Sequence, residues 1–202
     1  ERRGRVATLA GWAQPVLRPE INEAAIRLLN RLGIEVVVAA GTGCCGALTH
    51  HMGFEDAAQE SAKANIAAWH REIAGEGLDA IVITTSGCGT VIKDYGYLFR
   101  NDPEWRDRAQ AVSARALDIS EYLTQLGRLP VSDGPKPKLA YHAACSLQHG
   151  QKVIGAPKEL LRQAGFEVDE VPEGHLCCGS AGTYNMLQPE LSAALRDRKA
   201  AN

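Results

Sequence analysis

The chain has 202 residues, 45% of them hydrophobic and 23% charged, with a formal net charge of −2. That is enough apolar material for a sizeable core in one or two domains, while the near-neutral charge and 5% aromatic content give no electrostatic or stacking basis for binding nucleic acid. No apolar run reaches the length of a membrane span, and no signal peptide is visible.

Residues 5–10 predict a buried strand that ends at Gly11-Trp12. Ile21, Ala24, Ala25, Leu28, Leu29 and Leu32 recur at helical spacing, so 20–32 is predicted as an amphipathic helix stopped by Gly33. Ile34 to Ala39 is short and rich in β-branched residues, a second strand. Gly41-Thr-Gly-Cys44-Cys45-Gly46 is the loop at its end. A long helix is predicted over 55–74, and a third strand over 80–85 ends in the loop Ser86-Gly87-Cys88-Gly89. More helix is predicted over 103–126. Gly127 to Lys138 holds three prolines and two glycines and reads as a linker. The pattern then restarts, with a strand over 138–141 ending near Cys145 and a helix opened by Pro157 and closed by Gly165. Phe166-Glu-Val168 opens the next strand, and the loop Cys177-Cys178-Gly179 follows.

The restart is a repeat. Leu28 to Val36 resembles Leu160 to Val168 at an offset of 132, and Cys44-Cys45-Gly46 meets Cys177-Cys178-Gly179 at 133. At 133, Cys145 falls on Trp12, and the counterpart of Cys88 falls at 221, past the last residue. The fold is therefore expected to be α/β, with two pseudo-repeated Rossmann-like units built from parallel strands and helical crossovers. The units are 1–126 and 139–202, joined by 127–138, with the second truncated. A start at Glu1 and an end at Asn202, inside a predicted helix, lead us to expect a fragment.

Every cysteine lies just past the C-terminal end of a predicted strand, where open α/β sheets assemble ligand sites. Thiolates are soft ligands for iron–sulfur clusters, zinc or copper(I). The first unit offers Cys44, Cys45 and Cys88, and the second offers Cys145, Cys177 and Cys178. Four thiolates are the common complement, so each visible set is one short. The spacing differs from a zinc ribbon, and adjacent cysteines reach two irons of one cluster more readily than one tetrahedral ion. Gly46, Gly179 and Gly182 are expected to let backbone approach the inorganic centre and donate N–H groups to it. The alternatives are buried thiols in plain turns or a framework of disulfides. His50, His51, His142, His149 and His175 lie near these loops as ligands, outer partners or plain polar residues, and His70 is expected to be solvated. No nucleophile–base pair and no nucleotide-binding glycine motif is present, so no catalytic residue is assigned.

His175-Leu-Cys-Cys-Gly-Ser-Ala-Gly-Thr-Tyr-Asn185, Tyr141-His-Ala-Ala-Cys-Ser-Leu-Gln-His149 and Gly43-Cys-Cys-Gly-Ala-Leu-Thr-His-His51 resemble the iron–sulfur subunits of glycolate oxidase. Those subunits belong to the cysteine-rich (CCG) domain family, together with the cysteine-rich component of heterodisulfide reductase and the lactate-utilisation iron–sulfur proteins. The resemblance implies an electron-transfer subunit with a 4Fe–4S type cluster, flavin-bearing partner subunits that oxidise glycolate, and a membrane quinone acceptor. It implies a cytoplasmic location, peripheral at the inner membrane. It also implies an N-terminal ferredoxin-like domain, whose cysteine motifs this sequence does not contain. The family usually has cysteine where this chain has Trp12, so the first centre is expected to be empty, differently ligated or rearranged; with the second unit truncated too, the chain is expected to hold no cluster, or a zinc or iron ion instead. A heterodisulfide-reductase-like enzyme site and a zinc-stabilised interaction module remain the rival readings.

Overall fold

Strand β1 (Gly4–Thr8) runs through the middle of the first unit, and its last four residues are buried. The computed structural model describes residues 2–11, 13–127, 129, 131 and 133–202. Helices α1 (Gln14–Leu17) and α2 (Pro19–Arg31) follow, and Pro19 supplies the preset φ of a first helical turn. After Gly33 come β2 (Ile34–Val37), a short helix α3 (Ala47–His51) and the long helix α4 (Glu55–Ala74). Helix α4 buries Ala58, Ala62, Asn65, Ile66 and Trp69, the i, i+4, i+7, i+8, i+11 stripe of an inward helix face. Strand β3 (Ala80–Ile83) is buried throughout, as a central parallel strand covered on both faces must be.

Helices α5 (Ser86–Lys93), α6 (Tyr95–Leu98) and α7 (Arg106–Ser113) lead to β4 (Ala116–Asp118) and α8 (Ile119–Gln125). The helix expected over 103–126 is thus interrupted by a strand. Ala116 to Asp118 pairs with Ile81 to Ile83, and Asp118 accepts the Ser120 N–H at 2.9 Å, which opens α8. A three-residue strand is too short for alternation to betray it. The segment Ser86–Gly89, read as loop, is instead the first turn of α5, so Cys88 sits on a helix.

All four strands are parallel, in the order β2-β1-β3-β4. The chain leaves β1 to one side for β2 and returns on the other side for β3. The C-terminal ends at that reversal form the crevice where such sheets bind ligands.

The chain divides into two compact units, Glu1–Tyr122 and Leu123–Asn202. The second contains β5 (Leu139–Tyr141), a π-helical turn (Ser146–Gly150), α9 (Ala156–Gln163) and β6 (Val168–Glu170), then α10 (Tyr184–Leu187) and α11 (Pro189–Ala200). Strands β5 and β6 pair in parallel, Leu139 opposite Val168. In the first unit Val6 stands opposite Val36. Leu139 follows Val6 by 133 residues and Val168 follows Val36 by 132, so strand register reproduces the repeat read from sequence. Among the described residues no helix is long and apolar enough to cross a membrane.

Candidate metal centre

Two crossovers bring the first unit's thiols together. The loop after β2 carries Cys44 and Cys45, and α5 carries Cys88 in its first turn. The Cys45 and Cys88 sulfurs share a hydrogen bond at 3.0 Å, and Cys45 is buried. All six cysteines are free thiols, which removes the disulfide framework. Gly46 N–H donates to Cys44 Sγ at 3.4 Å, and the N–H groups of Ala47 and Cys45 point at Cys45 Sγ. The hydrogen bond from Cys88 lowers the Cys45 thiol below its ordinary value against the opposing effect of burial, while the same bond and burial push Cys88 up. One proton is thereby shared across the pair.

The second unit repeats the arrangement. Cys145 immediately precedes the π-helical turn, a distortion found mostly at functional sites. Its thiol is hydrogen-bonded to Cys177 and lies on the backbone N–H of Cys178. Burial, then the Cys177 charge, raises the Cys145 thiol. Gly179 N–H donates to Cys177 Sγ at 3.4 Å, the same bond as Gly46 to Cys44. The two cysteine-glycine loops therefore fold alike.

The glycines owe their place to more than a ligand. Gly46 has φ of +82°, and a Cβ there would meet the Ala58 carbonyl oxygen of α4 at 2.8 Å. Gly179 has φ of +86°, and its Cβ would collide with the Ser192 carbonyl oxygen of α11. Each lets a later helix, α4 or α11, press on the thiol loop. Gly182 is exposed, three residues further along the same loop, with φ of +62°.

The histidines are dispersed. His149 Nε2 is 3.3 Å from the His175 carbonyl oxygen. Burial and the nearby Lys199 charge lower His142. His50 Nδ1 is buried without a hydrogen-bond partner. The departure at Trp12 concerns a residue outside those described.

Sequence reading missed Asn65 and Tyr95. Asn65 binds the Gly43 N–H and the Cys44 carbonyl, and Tyr95 binds the Cys45 carbonyl. A polar residue on the apolar stripe of α4 was the available signal for Asn65. Burial, with the charges of Cys45, Cys88 and Cys44, pushes the Tyr95 phenol far above its ordinary value, against the opposing hydrogen bond to Asn65.

The donors fit an iron–sulfur centre by chemistry, with three thiols per unit and backbone N–H groups on sulfur. Among the described residues, no three His, Cys, Asp or Glu side chains stand ready around one ion. Thiolates around tetrahedral zinc lie roughly 3.8 Å apart for Zn–S near 2.3 Å, so Cys45 and Cys88, 3.0 Å apart, must part to admit even a single zinc ion.

Comparison with known proteins agrees with this geometry. A model of the cysteine-rich domain matches residues 9–93 and 139–202. The chain is 45% identical to the "Glycolate oxidase iron-sulfur subunit" of Escherichia coli (strain K12), over 96% of its own length and 48% of that protein. It is 32% identical to the "Probable glycolate oxidase iron-sulfur subunit" of Bacillus subtilis (strain 168), over 98% of its length and 44% of that protein. It is 30% identical to "Lactate utilization protein A" of an Exiguobacterium species, over 96% of its length and 78% of that protein. The chain thus spans about half the length of the two glycolate oxidase subunits. Two matched segments, each carrying a cysteine pair in the same local geometry, place the chain in the cysteine-rich domain family.

Proposed function

We propose that this chain is the iron–sulfur, electron-carrying part of a glycolate-oxidase-type complex. The observation that supports the reading best is the doubled thiol loop. In each unit a cysteine pair meets a third cysteine from a separate element, and N–H groups fall on sulfur. An iron–sulfur centre bound there supplies one-electron acceptance. Cys145, Cys177 and Cys178 are its ligands in the second unit, and Cys44, Cys45 and Cys88 form the first unit's set. The N–H groups of Gly46, Ala47, Cys178 and Gly179 offset the negative charge that reduction adds, which raises the potential. The names of two relatives support the glycolate-oxidase assignment, and the electron path that follows is our own extension of it. Flavin-bearing subunits oxidise glycolate, this chain receives the electrons, and a quinone at the inner membrane takes them from the cytoplasmic side.

Anaerobically purified protein is expected to contain iron and acid-labile sulfide and to show charge-transfer absorption. Cys178→Ser should lower iron and sulfide together. Colourless, sulfide-free protein, or stoichiometric zinc in place of iron, would overturn the reading.

A further inference from the structure

Asn65 and Tyr95 are both fully buried, yet both are polar. Leaving such groups unpaired is costly, so where their bonds go is informative. Asn65 Oδ1 accepts the Gly43 N–H at 2.8 Å, and its Nδ2 donates to the Cys44 carbonyl at 2.8 Å and to Tyr95 Oη at 3.3 Å. The Tyr95 hydroxyl donates to the Cys45 carbonyl at 2.8 Å. Three hydrogen bonds therefore run from two core side chains to three successive residues of the thiol loop, and a fourth joins the side chains.

The consequence lies one step along the chain. With the carbonyls of Cys44 and Cys45 turned into the core, the N–H of Gly46 falls on Cys44 Sγ and that of Ala47 on Cys45 Sγ. At an offset of 133 the counterpart of Asn65 is Arg198, which bonds Glu173 instead. Among the described residues this clamp belongs to the first unit.

We infer that Asn65 and Tyr95 are positioning residues that lock the Gly43–Cys45 backbone so that N–H groups bear on the cysteine sulfurs. They thereby set the order of the thiol loop and the reduction potential of the centre its cysteines hold. The effect on potential rests on the iron–sulfur reading above, and the effect on the loop does not. Hydrogen bonds to sulfur favour the more negative, reduced state, so loosening them lowers the potential.

The test uses the whole chain in metal-free and anaerobically iron- and sulfide-loaded forms. Tyr95→Phe removes one hydroxyl, and Asn65→Leu keeps the shape and removes the polar atoms. Ile66→Val is the control, since Ile66 is fully buried on the same helix and has no polar group. In metal-free protein, amide exchange at Gly46 and Ala47 should rise on the order of tenfold in both clamp variants. The control should keep wild-type rates. In loaded protein, both clamp variants should show a lower potential at unchanged iron content. Wild-type rates and potential in Tyr95→Phe, or equal changes in Ile66→Val, overturn the inference. If Asn65→Leu does not fold, Tyr95→Phe alone decides. A wild-type chain that takes up no iron or sulfide overturns the iron–sulfur reading alone, and amide exchange then judges the clamp.

Discussion

At Gly46, positive φ and crowding act together. An alanine there must hold φ near +82° and push its Cβ against the Ala58 carbonyl oxygen, 2.8 Å away. Gly46→Ala should therefore destabilise the chain by roughly 2–4 kcal/mol in urea unfolding. Gly43→Ala has open space around the new Cβ and keeps the N–H that Asn65 binds, so it should stay within about 0.5 kcal/mol of wild type. The Cys45–Cys88 pair makes a second prediction. Because the hydrogen bond from Cys88 lowers Cys45, thiolate persists to lower pH than in a free cysteine. The ultraviolet thiolate absorbance of metal-free protein should contain one step below the ordinary thiol value of about 8.5, and Cys88→Ala, which removes the donor, should move that step up. A wild-type curve with every step at or above the ordinary value contradicts the shared proton.

Helix α11 shows how an element is fastened by charge. Arg198 binds the Glu173 carboxylate with Nε at 2.8 Å, Lys199 donates to the Glu173 carbonyl at 2.9 Å, and Asn202 reaches the same carboxylate at 3.1 Å. The Arg198 hydrogen bond is the main cause that holds Glu173 down at about 2, from an ordinary 4.5. A depressed carboxylate stabilises the folded state fully above its unfolded value and loses that contribution as pH falls through its folded value. The fastening should therefore weaken between pH 4.5 and about 2. The pair is exposed, so salt should weaken it as well. Amide protection factors in α11, taken against the intrinsic exchange rate at each pH, should fall across that window in wild type and be already low, with little pH dependence of this kind, in Arg198→Ala. An unchanged exchange profile in the variant would mean the pair does not hold the helix.

The two units differ in how much they bury. In the first, β1, β3, α4 and α5 enclose Val6, Ile66, Trp69, Ile81, Ile83 and Ile92 almost completely. In the second, Leu123, Leu147 and Val153 are the buried hydrophobic residues among those described. A fully buried aliphatic side chain contributes about 1.5–3 kcal/mol, whereas ordering one residue's backbone costs about 1–2 kcal/mol. Three such side chains cannot order some eighty residues. Expressed separately, residues 1–122 should unfold in one cooperative transition, and residues 123–202 should lack one unless a metal centre binds. A cooperative metal-free transition in the second piece would show that its half-buried residues suffice.

What the sequence determined follows from periodicity and repetition. The stripe of α2, the span of α4, the start of α9 at Pro157 and the parallel strands preceding each cysteine loop were all legible, because burial imposes a period of 3.6 or 2 on apolar residues. The doubled cysteine-glycine motif by itself located both candidate sites. Strand β4 and the helical setting of Cys88 were not legible, since three or four residues carry no readable period. Only the tertiary structure decided which of Cys44 and Cys45 meets Cys88. Cys45 and Cys88 are 43 residues apart in sequence and 3.0 Å apart in space because the order β2-β1-β3 brings two strand ends to one crevice. The same holds for Asn65 and Tyr95. Their side chains show in sequence only as polar residues among apolar ones, and it is packing that aims them at the cysteine backbone.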